Sequence, residues 1–108
     1  MATFTKQTID RDGVQPTYNS VAGGGDEFSN DGRIVIHVKN DNASACNVTI
    51  VTPATVDGLA VSDRVVTVPA GEERIIGPFP QTTYSDANGI VSLTWSITSS
   101  VTCAVYTF

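Results

Sequence analysis

The chain has 108 residues, 41% hydrophobic and 16% charged, which suits one domain with a real core and is too short for two. Six Lys and Arg against eleven Asp and Glu leave a net charge of −5, so the surface repels phosphate and nucleic acid is set aside as a partner. The longest unbroken apolar run is the four residues Cys103-Ala104-Val105-Tyr106, far short of the ~20 that a helical membrane span needs.

Val occurs 14 times, Ile 8 times and Thr 14 times, against 2 Leu. Branching at Cβ stiffens these side chains and suits them to a pleated surface. With 9 Gly and 5 Pro as punctuation, the composition predicts an all-β domain. The expected architecture is a single antiparallel β-sandwich, or a jelly-roll-like barrel, of about six to eight strands. Residues 1–6 have no signal-peptide core, so synthesis in a cytoplasm is expected. On that expectation the sequons Asn42-Ala43-Ser44 and Asn47-Val48-Thr49 are chance matches.

Residues 1–32 are the least regular part. A strand is predicted over 3–9, and Asp10-Arg11-Asp12-Gly13 and Ser29-Asn30-Asp31-Gly32 are turns. Gly23-Gly24-Gly25 is a joint, or a place of positive φ. This third is expected as an edge strand with long loops, or as an arm over 1–22 reaching a neighbouring subunit. Over 33–39, Ile34, Ile36 and Val38 share one face while Arg33, His37 and Lys39 share the other, the period-2 signature of a half-buried strand. Cys46, Val48 and Ile50 repeat the pattern until Pro53. Asp57-Gly58 is a turn within a looser stretch. Strands over 64–68 and 73–76 flank Pro69-Ala70-Gly71-Glu72, a turn that predicts a hairpin. Gly77-Pro78-Phe79-Pro80 then ends strand pairing. Val91, Leu93, Trp95 and Ile97 face one way over 90–97, Val101, Cys103 and Val105 over 101–106, and the short loop between them predicts a second hairpin.

No catalytic or metal-binding constellation emerges, and no cofactor is expected. His37, the lone histidine, falls on the polar face of its strand and reads as a surface residue. Asp10-Arg11-Asp12-Gly13 opens like a calcium loop, but Val14 and Val21 occupy ligand positions. Gly23-Gly24-Gly25-Asp26 lacks the Lys and spacing of a phosphate loop. Glu72 and Glu73 are adjacent and point to opposite faces of a strand. Cys46 and Cys103 read as small buried thiols, with a disulfide across the sandwich as the alternative. Trp95 reads as core. Phe4, Tyr18, Phe28, Phe79 and Tyr84 lie outside the best strands, either closing the ends of the core or serving as partner contacts.

Asn30-Asp31-Gly32-Arg33-Ile34-Val35-Ile36-His37-Val38-Lys39-Asn40 and the run from Val66 through Pro69-Ala70-Gly71 to Gly77-Pro78-Phe79-Pro80 resemble small virion-associated proteins of tailed bacteriophages, often encoded near the major capsid protein. Thr8-Ile9-Asp10-Arg11-Asp12-Gly13-Val14-Gln15-Pro16-Thr17-Tyr18 and Gly24-Gly25-Asp26-Glu27-Phe28 fit the same pattern. The resemblance carries turns and strands and no catalytic residues. It implies a non-enzymatic virion protein, a capsid decoration or cement protein on the outer shell that bridges major capsid subunits. By analogy with threefold lattice sites, a homo-oligomer such as a trimer is compatible with it. A neck, tail or fibre component and a carbohydrate-binding or adhesin-like sandwich are the competing expectations, and an enzyme is the remotest.

Overall fold

The computed structural model describes residues 2–108. Strands account for nearly all of its regular structure: β1 (Ala2–Phe4), β2 (Gln7–Thr8), β3 (Asn19–Ser20), β4 (Asp26–Ser29), β5 (Ile34–Asn40), β6 (Cys46–Ile50), β7 (Thr55–Val56), β8 (Leu59–Ala60), β9 (Arg64–Val68), β10 (Glu73–Ile76), β11 (Ile90–Trp95) and β12 (Val101–Thr107). The one helix, α1 (Gln81–Tyr84), is a single turn opened by Pro80, which has no N–H to donate and closes the preceding extended run. None of its residues is buried.

Two sheets form an all-β sandwich. The first runs β1-β4-β11-β6-β9 and the second β10-β5-β12-β2, with β3 also paired to β12. The central ladders are antiparallel, whereas β1 joins β4 and β2 joins β12 in parallel. No barrel closes. The strand count exceeds expectation because the two-residue pieces β2, β3, β7 and β8 carry too little pattern to be read. The expected strand over 3–9 breaks into β1 and β2, one on each sheet, so the N-terminal segment is built into both layers. Its Phe4 and Val21 are core residues.

The period-2 pattern decides what is buried. β5 alternates without a fault: Ile34, Ile36, Val38 and Asn40 are buried, and the residues between them are half-exposed. Cys46, Val48 and Ile50 face them from the first sheet, with Val91 and Leu93 of β11 beside them. Phe28 and Phe79 complete the filling, with ring centroids 5.7 Å apart. Burying a side chain of this size contributes about 1.5–3 kcal/mol each.

Both predicted hairpins are replaced by crossings between the sheets. β9 pairs with β6 and β10 with β5; β11 pairs with β4 and β6, and β12 with β5. Alternation says which side chains point inward, but two strands on opposite sheets satisfy it as well as two neighbours on one. Buried polar side chains hold the crossings. The Asn40 amide donates to Ser44 O at 2.9 Å and Val68 O at 3.0 Å, and its Oδ1 accepts from Asn42 N–H. At the far end Asn30 Nδ2 donates to Phe79 O and Ser85 Oγ, both at 3.0 Å, and Asn30 O accepts from Gln81 Nε2. Buried polar groups need such partners, and no buried side-chain N or O among the described residues lacks one.

Backbone shape imposes its own demands. Gly77, in a cis peptide with Pro78, has φ +137, and a Cβ there would lie 2.7 Å from Ile34 O. Replacing it strains a left-handed conformation and forces apart the turn that carries Phe79 into the core. We expect Gly77→Ala to lower unfolding free energy by about 2–4 kcal/mol in chemical denaturation. Gly13→Ala also has positive φ, but nothing lies within 4 Å of its added Cβ, and it should cost about 1 kcal/mol.

Candidate functional site

The five aromatic residues nominated as partner contacts separate into two groups. Phe4, Phe28 and Phe79 are enclosed in the core, at 5%, 0% and 2% exposure, and present nothing to a partner. Phe4 and Phe28 belong to the short strands β1 and β4, which pair with each other, and only Phe79 comes from an irregular segment. Tyr18 and Tyr84 remain partly exposed, on different parts of the molecule.

Tyr18 lies over the outer face of the second sheet. Its hydroxyl is 2.9 Å from His37 Nδ1, the two rings meet edge to face at 5.5 Å, and Lys39 Nζ sits 4.8 Å from the Tyr18 centroid. The other imidazole nitrogen, Nε2, is 2.8 Å from Glu73 Oε1. With its proton on Nε2, His37 accepts from the Tyr18 hydroxyl and donates to the Glu73 carboxylate, so one tautomer serves both bonds. His37 therefore lies on the predicted outer face of its strand but is covered, with 15% of its side chain exposed. Its partners come from residues 19 positions before and 36 positions after it, which no local pattern announces. The hydroxyl, imidazole and carboxylate bind one another and fasten the segment before β3 to the sheet.

Tyr106 belongs to the same cluster. Burial, then the hydrogen bond with Tyr18, push its phenol up to about 12. Folding thus favours the protonated phenol. That stabilisation is complete below pH 10, the ordinary tyrosine value, and is lost as pH rises through about 12. Tyr106→Phe should flatten this alkaline limb in a plot of melting temperature against pH.

Tyr84 stands at a second place. β9 is the edge of the first sheet and β10 the edge of the second, on the same side of the sandwich. Between them opens a cleft of about 570 Å³, with Arg64, Val66, Arg74, Ile76, Phe79 and Tyr84 among its lining residues. Phe79 and Tyr84 stack edge to face at 5.6 Å, and Arg64 Nε donates to Tyr84 Oη at 3.3 Å. Arg74 contacts Glu72 at 3.1 Å in an exposed pair. Val65 and Ile75, on the outward faces of these edges, are 56% and 71% exposed. The sequence carried a signal for both: Val65-Val66 and Ile75-Ile76 are adjacent apolar pairs, and in a strand one member of each must face outward.

The remaining nominations are turns and packing. Asp10 Oδ1 accepts from Asp12 N–H at 3.0 Å, and Gly13 N–H donates to Asp10 O, so the calcium-like opening is a self-bonded turn. Among the described residues, no three His, Cys, Asp or Glu side chains gather to hold a metal. Asp26 is buried, and its Oδ2 accepts from Ala22 N–H at 2.9 Å and Trp95 Nε1–H at 2.8 Å. Trp95 is half-buried against the core and turns its indole N–H to this carboxylate. Cys46 and Cys103 are buried free thiols on opposite sheets, and burial pushes the Cys103 thiol well above its ordinary range. Neither should react with a thiol reagent until the chain unfolds, so labelling should track the denaturation curve.

Compared with known proteins, the chain matches no family model, no curated protein and no solved structure.

Proposed function

We propose that this chain is a non-enzymatic structural protein of a phage virion, a capsid decoration protein that binds the outer shell and bridges major capsid subunits. One observation carries the reading furthest: two unpaired strand edges lie side by side, each with a large apolar side chain facing water. Strand edges are adhesive because their N–H and C=O groups lack partners, and natural domains normally blunt them with charge, bulges or a covering loop. Here Val65 and Ile75 are apolar and exposed at outward positions of the edges, beside Thr67 and Glu73. Such a surface suits contact with another protein better than a free life in solution.

The rest of the molecule supports the same reading. The scaffold is small and its polar interior is fully bonded among the described residues. A net charge of −5 suits the outside of a shell packed with nucleic acid. The resemblance of the 30–40 and 66–80 segments to phage virion proteins supplies the biological setting. A ligand that binds only the assembled shell stabilises it by mass action, and many copies multiply the effect.

Purified protein should co-sediment with expanded heads of the parent phage and raise their melting temperature. Copies per particle, from quantitative electrophoresis, should number in the hundreds; a dozen or fewer would place the protein at the neck or tail. Failure to bind heads or capsomers would remove the reading altogether.

A further inference from the structure

We propose that the β10 edge takes up an extended segment of a partner protein as an added strand, with carboxylate side chains of that segment meeting Arg64 and Arg74. This rests on the reading of the chain as a protein-binding scaffold and names the mode of contact and the chemistry of the partner.

Backbone hydrogen bonding identifies the free positions. Asn40 N–H donates to Glu72 O, which fixes 40 and 72 as a bonded pair of the β5–β10 ladder. Bonded pairs recur every second residue, so Arg74 and Ile76 bond Val38 and Ile36 in turn. The N–H and C=O groups of Glu73 and Ile75 therefore point away from the sheet. The Glu73 carbonyl accepts from Arg74 Nη1 at 2.8 Å, leaving the Glu73 N–H and both groups of Ile75 for an incoming strand. The same reasoning applies to β9. Asn47 O accepts from Ser96 N–H on the β11 side, so even-numbered β6 residues bond β9, and Val65 and Thr67 point outward. The β10 edge is the better acceptor because Ile75 and the following Gly77, Pro78 and Pro80 line the cleft, so a strand added there lies against its wall.

Charge selects the occupant. The chain has only six Lys and Arg, and two of them flank this one cleft. Arg64 has no carboxylate within ion-pair distance among the described residues, and the Arg74 pair with Glu72 is exposed and exchangeable. Guanidinium groups beside an apolar floor suit a segment that alternates acidic and β-branched residues: one face meets the arginines, the other covers Ile75. A second copy of this chain fits less well, because each copy would bring its own two arginines to the contact.

The test uses the full chain, isotope-labelled, titrated with an end-capped octapeptide of alternating glutamate and valine. A lysine–valine octapeptide is the control. We expect the Ile75 amide to move and its hydrogen exchange to slow about tenfold or more at saturation. The lysine peptide should not bind. Arg64→Gln with Arg74→Gln should weaken binding about tenfold or more, and added salt should weaken it in the native chain. Ile75→Pro removes an outward N–H without touching the ladder to β5 and should abolish binding, while Val65→Pro should leave it intact. Absence of binding, equal binding of the two peptides, or perturbation centred on Val65 and Thr67 would each overturn the proposal. Co-sedimentation separates this idea from the reading beneath it. If native protein and Ile75→Pro bind heads equally, strand addition is lost and the decoration role stands; if native protein fails to bind heads, the role itself is lost.

Discussion

The side-chain amide of Asn40 ties together three separate parts of the chain, β5, the turn after it and the end of β9. It sits at the end of β5, buried to 1% exposure, and reaches the turn that leaves β5 and the carbonyl that ends β9. Those two points belong to two of the passages by which the chain changes sheet, from β5 to β6 and from β9 to β10. Remove the amide and the Val68 carbonyl loses a donor in a place water cannot easily reach. The consequence reaches the edges. β9 and β10 lie side by side at one flank because the passage between them is pinned there, and the cleft with its two arginines exists because they do.

Much of this was legible in the residues themselves. Ile34, Ile36 and Val38 declare their face without ambiguity, and the inward residues of β6, β11 and β12 follow the same rule. Strand partners were not legible. A turn such as Pro69-Ala70-Gly71-Glu72 joins two strands whether or not they pair, and what decides here is a contact 28 residues away in sequence, from Asn40 to Val68. β4 shows the other failure. Its sequence, Asp26-Glu27-Phe28-Ser29, holds one apolar residue among four. It is a strand because Phe28 completes the core and Asp26 accepts from Ala22 N–H and from the indole of Trp95, the latter 69 residues away and outside any local window.

The outer surface divides along the same line. Aromatic residues outside the most regular strands could fill the core or serve as anchors, and three of them, Phe4, Phe28 and Phe79, are core. Large apolar side chains reach the surface instead at plain aliphatic residues such as Val65 and Ile75 on the edges, which composition alone ranks as core. Tyr18, His37, Glu73, Lys39 and Tyr106 form a polar cover over the second sheet. That cover occupies the outer face just where β10 turns its backbone outward, so Glu73 belongs to both: its carboxylate bonds His37 and its N–H faces the free edge.

The order of strands in the second sheet has a kinetic meaning. β12, the last strand in the chain, occupies its interior, and β2 and β3 pair with nothing else. Every ladder of that sheet therefore closes a long loop, and loop closure costs entropy before any bond forms. Gln7–Thr8 and Asn19–Ser20 must wait for Val101–Thr107 before they acquire a strand partner. Until β12 is in place, β5 keeps an open edge along its whole length, and the apolar ribbon of Ile34, Ile36 and Val38 is left with one lateral neighbour in place of two.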